Sequence, residues 1–551
     1  MRKKRILFCG EASFLNTGYA TYVREMLTYL HSTGKYDIAE FGAYANTEHE
    51  EGRGLPWKFY GTMPSEQSSQ AIKDEYNSKP TNQFGEFMFE HVCLDFLPDI
   101  VCDIRDFWML DFAERSPFRP YFKWCIMPTV DARPQARQWI ATYESADACL
   151  TYSDWAGDIL KKQSGGKINY IGCSPPSAHP AYRPYGDKEM SKVNLGIDPK
   201  YKIIGTVMRN QRRKLFPDLF EAFKKFLDSS DDKNYYLYCH TSYPDLGWDI
   251  PELIHQYELS SKVMLTYICG DTGKPFPSLF KGALIQSPFT GRRSASVSSV
   301  KSGASYEDLA AIINSFDLYV QYANSEGFGL PQVEAAACGV PVMATDYSAM
   351  ESEVRKLGGT PLKPKALYKE LETGCYRAVP DNDLTAQEFA KFFALSESER
   401  NQLGELTRKN FEEKYQWHLS GKMWEKYFDS VEITDSWFSP PRFFTPDPKP
   451  NPEEIPQDAT FDQLASWLIT SVLGEPEKIG SWMHARLIRD LSYKSSTGTT
   501  GGMYFNESSA IFDGVNNRVP FDLDMAYQHM KALCDRRNTW EKTRMERLRN
   551  D

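Results

Sequence analysis

Residues 324–337, NSEGFGLPQVEAAA, constrain this chain more than any other stretch. They follow an apolar run, 316–322, that reads as a buried strand. They lead through Gly327 and Gly329 into an alanine-rich segment, 333–338, that reads as a helix. A strand, a glycine turn and a helix make an anion-binding geometry. The turn amides and the positive end of the helix dipole converge on one point, and the glycines let the backbone come close to it. Two acids, Glu326 and Glu334, bracket the turn with seven residues between them. Binding phosphate alone does not call for carboxylates. Ribose and sugar hydroxyls do, because a carboxylate accepts their hydrogen bonds. The stretch therefore points to a sugar nucleotide.

At 551 residues the chain is too long for one core, and about three domains are expected. Hydrophobic residues at 41% and charged residues at 25% describe an ordinary globular protein, and 14% aromatics suit concave sites for ring-shaped ligands as well as dense cores. The net charge of −10 provides no overall field toward nucleic acid or anionic membrane. Eleven cysteines without a CxxC pair read as buried free thiols in a reducing compartment. The opening MRKKRILFCGEA is basic and then apolar, but too short for a signal peptide. No stretch reaches the length of a membrane span, so a soluble cytoplasmic location is expected.

Strands are expected over 5–10, 38–43, 100–103, 122–127 and 148–152, with helices between them, the first following Gly18 with Asn16 or Thr17 as cap. This alternation implies a parallel sheet. It lacks a full GxGxxG, which disfavours simple dinucleotide binding. Ligands in such sheets sit at the carboxyl ends of strands, which places Asp131 toward a cleft, with an Asx-turn or helix cap as the plainer alternative. His179, in a proline-rich crossing, is a candidate substrate contact or a structural histidine.

A second alternating series begins at 201–207. Its first strand leads into Arg209, Arg212, Arg213 and Lys214 just before a helix over 216–227, and this cation cluster invites a pyrophosphate. Residues 276–305 are rich in serine and arginine and read as a mobile or disordered basic loop. Prolines from 440 to 456 mark a semi-rigid linker. Beyond it, 461–473 reads as a helix, 495–502 as a flexible turn, 503–512 as a strand or hairpin, and 522–550 as a helix ending in arginines. That last helix is either a solvated, packed element or a nucleic-acid arm. Asp522-Leu523-Asp524 reads as helix N-terminal charge, not as a metal site.

Residues 325–354, SEGFGLPQVEAAACGVPVMATDYSAMESEV, closely resemble the E-x7-E segment of retaining GT-B glycosyltransferases, the group 1 family. Arg209 and Lys214 keep the offset of that family's pyrophosphate-clamping Arg and Lys. The loop ending at Gly18 is similar to its N-terminal donor loop. The resemblance covers about residues 1–430 and implies an α/β, GT-B fold, two Rossmann-like domains facing a cleft, with a C-terminal accessory module added. The implied segments are 1–185 for the acceptor domain and 186–395 for the donor domain. A return helix at 396–430, the linker at 431–460 and the module at 461–551 complete them.

By the resemblance, Glu326 contacts donor-sugar hydroxyls and Glu334 the ribose. The amides from Gly327 through Phe328 and Gly329 to Leu330 hold sugar and phosphate. Residues 267–270 face the base, and Asp131 stands near the family's usual histidine. The implied reaction moves a sugar with retention from a UDP- or GDP-linked donor to a hydroxyl of a glycan, lipid, small molecule or modified DNA base. It needs no metal and no cofactor beyond the nucleotide sugar. Glu326, Asp131, Arg209 and Lys214 form the expected catalytic set, and Ala variants of Glu326 and Lys214 are expected to abolish transfer with the fold intact. A glycosyltransferase acting on hydroxymethylated DNA bases, a sugar-nucleotide epimerase and a non-catalytic glycan-binding scaffold are the alternatives. Homo-oligomerisation through the C-terminal module is a further expectation.

Overall fold

A computed structural model describes residues 2–457, 459, 461–492 and 522–550. The turn expected at 495–502 and the strand or hairpin at 503–512 lie outside the described residues. Compactness divides the chain differently from its sequence segmentation. One unit gathers Met1–Pro128, Arg137–Cys149 and Tyr427–Asp551, and the other Thr129–Ala136 and Leu150–Lys426.

The first unit is built on β1 (Lys4–Glu11), β2 (Tyr36–Asn46), β3 (Lys58–Met63), β4 (Ile100–Asp103), β5 (Lys123–Ile126) and β6 (Ala148–Thr151). Their sheet order is β3-β2-β1-β4-β5-β6, and the chain passes to the second unit within β6, ahead of β7 (Tyr170–Cys173). β1 pairs in parallel with β2 and β4, and β4 with β5. Ile6, Leu7, Phe8 and Cys9 of β1 are wholly buried, as strands of a parallel sheet covered on both faces must be. Thr17 caps the helix Gly18–Ser32, its side chain accepting from the Ala20 amide.

The C-terminal region groups with this unit and carries a core of its own. Helices Phe461–Leu473, Ser481–Ser492 and Leu523–Asn550 share a core that includes Leu468, Ile469, Val472, Leu487 and Met530. The proline-rich stretch is pinned along them: Phe444 N–H donates to Asn538 and Asp447 N–H to the Val472 carbonyl. The basic end of the last helix turns inward. Arg536 pairs with Glu90 at 3.0 Å, Arg537 donates to the Pro117 carbonyl, and Arg544 is fully buried on Glu541 and the Trp437 and Ser439 carbonyls. Tyr121 donates to Glu541, and Arg486 pairs with Glu114 at 2.6 Å. Arginines engaged in this way form a packed helix, so the nucleic-acid arm loses its basis. Asp522 accepts from the Met525 amide and Asp524 pairs with Lys449, which bears out the reading of that triplet as helix-start charge.

The second unit holds a nine-stranded sheet. Its parallel core is β8 (Lys202–Val207), β9 (Tyr235–His240), β10 (Val263–Cys269), β14 (Leu318–Gln321), β15 (Val342–Thr345) and β16 (Thr360–Leu362), in the order β10-β9-β8-β14-β15-β16. The expected loop at 276–305 is not disordered. β11 (Pro275–Leu279) and β13 (Ala295–Val297) pair antiparallel with β10, and β12 (Leu284–Ile285) with β13. Serine and arginine dominate its composition, yet Phe276, Ala295 and Val297 reach the core, and Phe276 stacks on Tyr267. One face of the helix Phe216–Ser229 buries Leu219, Phe220, Phe223 and Phe226, and Phe226 stacks on Phe393 of the helix Asn382–Ala394. A hairpin of β17 (Pro364–Lys369) and β18 (Tyr376–Pro380) stands off the main sheet. No helix among the described residues is long and apolar enough to cross a membrane.

Candidate active site

β14 ends at Gln321, and residues 322–329 turn into the helix Leu330–Ala337, which starts three residues earlier than expected. Gly329 caps it at φ +85°, a conformation other residues adopt only with strain, and Pro331 sits in its first turn, where a missing N–H costs nothing. A Cβ on Gly327 would lie 2.5 Å from the Thr129 methyl, so this glycine is required by a close approach. The cap uses no side chain, and the first amides of a helix have no acceptor within it. Phe328 is buried, its ring 6.3 Å from that of Tyr415.

Lys214 and Glu326 come together at the centre of this loop. The Lys214 ammonium donates to Glu326 Oε1, which also accepts from the Gln321 amide at 3.1 Å. Arg213 donates to Oε2 at 2.5 Å. The carboxylate is 5% exposed and Lys214 7%, so each charge leaves water only because the other is there. Burial pushes the Glu326 carboxyl up, but Lys214 and Arg213 overcome this and hold it at about 2. Burial lowers the Lys214 ammonium to about 8 against the attraction of Glu326. Two cations and one carboxylate leave the cluster one positive charge in excess. Backbone bonds fix its geometry: Leu215 N–H donates to the Tyr322 carbonyl and Asn324 N–H to that of Arg213. The Trp248 indole donates to the Lys214 carbonyl at 2.8 Å.

Asp131 belongs to the same unit. Arg377 of the hairpin donates to Asp131 at 2.7 Å, to Ser325 Oγ at 2.6 Å and to Glu370 at 2.8 Å. It thereby ties Asp131 to the residue preceding Glu326. Burial lowers the Arg377 guanidinium, and Asp131 and Glu370 more than restore it. The Tyr376 amide donates to the Arg133 carbonyl, which fixes the same two segments through the backbone. Sequence reading missed Arg377 because nothing local marks it. Arg213 was visible only as one member of a basic run.

The other expected residues lie apart from the cluster. Arg209 is half-exposed and held by Asp245 at 3.0 and 3.2 Å, a contact that brings the Asp245 carboxyl down to about 2. Glu334 is buried on the helix, with Tyr182 as its hydrogen-bond partner, and burial raises its carboxyl to about 7. Tyr267 is a core residue whose hydroxyl donates to the Gly282 carbonyl. His179 stacks on Tyr306 at 4.4 Å, the structural alternative. Gly18 lies in the first unit, where space around a Cβ is open.

Residues 298–402, which contain this loop, match the family described as glycosyl transferases group 1. The fold around that segment is of the GT-B type. The fold of this chain is similar to that of sucrose-phosphate synthase from Thermosynechococcus elongatus (TM-score 0.56, 15% identity, 78% of this chain and 100% of that one). It is also similar to a glycosyltransferase from Rickettsia africae ESF-5 (0.53, 13%, 78% and 98%). An Anabaena protein solved in complex with UDP and glucose aligns likewise (0.52, 12%, 78% and 100%). The C-terminal region of the chain is extra to this fold. No curated protein matches its sequence.

Proposed function

We propose that the chain is a glycosyltransferase that moves a sugar, with retention and without a metal, from a nucleoside-diphosphate sugar to a hydroxyl acceptor. The observation that carries the reading is the cluster of Lys214, Arg213 and Glu326 beside the amides of Gly327, Phe328, Gly329 and Leu330. A departing diphosphate gathers negative charge on its oxygens in the transition state. Fixed cations and helix amides stabilise that charge without reorganising. Arg209, released from Asp245, adds a third cation. Glu326 has two parts in this reading: it keeps the cations placed, and it accepts hydrogen bonds from donor-sugar hydroxyls. Glu334 accepts from the ribose. The anomeric carbon becomes oxocarbenium-like, as in glycoside hydrolysis, and the departing phosphate takes the acceptor proton on the same face. Asp131, held by Arg377, orients the acceptor or balances the charge on the sugar.

A thermal-shift screen against nucleotide sugars tests the reading, because a donor that binds the native state raises its melting temperature. UDP-linked donors come first, on the strength of the Anabaena protein's bound UDP. Raised melting with none of the UDP or GDP sugars would remove the donor assignment. Transfer from the best donor is expected to persist unchanged in EDTA, and its loss there would overturn the metal-free mechanism. Eleven free cysteines, ten of them buried, suit a cytoplasmic setting. Light scattering tests the self-association expected through the C-terminal region.

The buried titrations predict the pH profile of kcat/KM. Lys214 loses its proton as pH rises through about 8, which removes its charge from the cluster. Glu334 gains one as pH falls through about 7, which removes an acceptor. A narrow bell between these values is expected. A profile flat from pH 6 to 9 would sink both assignments.

A further inference from the structure

The first unit carries a second concavity, of about 840 Å3, built by the end of β3, the helix Gln70–Asn77, the segment around 79–91 and the helix Leu523–Asn550. Neither the fold comparison nor the transfer reaction gives it a role. The indole of Trp540 lines it. That ring is braced edge-on by His91, with centroids 5.1 Å apart at 78°, and by Phe118 at 5.8 Å and 72°. It is therefore fixed before any ligand arrives, which lowers the ordering cost of binding. Met63 and Ile72 bring apolar surface to the same groove and are 39% and 41% exposed.

The polar lining is acidic in balance. Glu48, Glu75, Glu86 and Glu90 face Lys79 and Arg536, and both cations are already engaged, Arg536 on Glu90 at 3.0 Å and Lys79 on Glu86 at 3.6 Å. An anionic ligand meets excess like charge here. A ligand with flat C–H faces and a rim of hydroxyls meets an aromatic platform and carboxylate acceptors, a few placed polar groups in a largely apolar groove.

We propose that this groove binds an uncharged saccharide chain, with Trp540 as the stacking platform and Glu75 and Glu48 as hydroxyl acceptors. The C-terminal region then has a task besides completing the core: its last helix supplies the platform. The proposal stands on the groove's own chemistry and holds whether or not the Glu326 cluster transfers a sugar.

Saturation-transfer NMR on the full chain, without nucleotide sugar, tests it. The probes are short malto-, cello-, manno- and N-acetylchito-oligosaccharides, with a sulfated oligosaccharide and spermine as charged comparators. At least one neutral series is expected to bind and the sulfated one not to. Trp540→Ala is expected to weaken binding by about tenfold or more. That variant also loses packing on Phe118, so Glu75→Lys is run beside it, on a helix with no buried residue, and is expected to weaken binding with unchanged melting. Absence of binding by every neutral series overturns the proposal, as does binding by spermine or the sulfated chain alone. Neutral binding that survives both substitutions places the saccharide elsewhere and overturns it equally.

Discussion

Lys214→Ala is expected to lower kcat/KM for transfer by about two to four orders of magnitude, the scale of removing a preorganised charge from a water-excluded site. The structure adds a cost that sequence reading did not foresee. Glu326 is 5% exposed, and without Lys214 its carboxylate keeps only Arg213 and Gln321. Breaking one side of a buried pair costs roughly 3–5 kcal/mol. The single variant should therefore melt well below the parent, and lost activity alone would be ambiguous. The double variant Lys214→Met/Glu326→Gln resolves this. It removes both charges and keeps shape, so its melting temperature should return most of the way while transfer stays lost. Restored stability together with restored transfer would show that the pair is structural and the site lies elsewhere.

Glu334→Gln is expected to do the opposite to stability and the same to function. The Glu334 carboxyl sits at about 7 in the fold because burial disfavours its charge. The folded protein therefore holds a proton that the unfolded chain releases near pH 4.5. The cost of the charge appears as pH rises from 4.5 and is complete above about 7. Removing it should stabilise the protein on the order of 2–3 kcal/mol at pH 8 and hardly at all at pH 4.5. The glutamine oxygen still accepts from Tyr182. It accepts more weakly from ribose, so donor KM is expected to rise about 10- to 100-fold. Paired melts at the two pH values and donor kinetics at pH 8 check this. An equal change in melting at both pH values would mean that Glu334 is not the titrating group.

The loop was legible because its chemistry is local. Gly329 at a left-handed cap, Pro331 in the first turn and the alanines behind it all carry meaning within a few residues. The parallel strands were legible for the same reason, since runs such as Ile203-Ile204 are apolar throughout. What stayed hidden depends on distance along the chain. Lys214 and Glu326 are 112 residues apart, and only the fold shows that the expected phosphate clamp and the expected sugar contact hold each other. Arg377 reaches Asp131 across 246 residues, from a hairpin whose first strand, Pro364–Lys369, is largely exposed and so lacks an apolar signature. The segment 276–305 misled by composition. Several of its polar residues, Arg292, Arg293 and Ser296 among them, face outward while a few alternate residues, Phe276 and Val297 among them, anchor antiparallel strands. The terminal arginines misled in the same way, because net charge does not show that Arg544 is buried among carbonyls.

The first unit begins with the first strand and closes with the last helix, and this has a consequence for synthesis. A ribosome releases the chain from its N-terminus, so the second unit, ending at Lys426, is complete before the first. Tyr121 waits for Glu541 across 420 residues and Glu90 waits for Arg536 across 446. At roughly 5–20 residues per second these groups stay without their partners for on the order of 20–90 s. The domain translated first is thus the last to mature, and a nascent chain stalled near residue 430 would present Tyr121, Glu90 and Glu114 to whatever holds it.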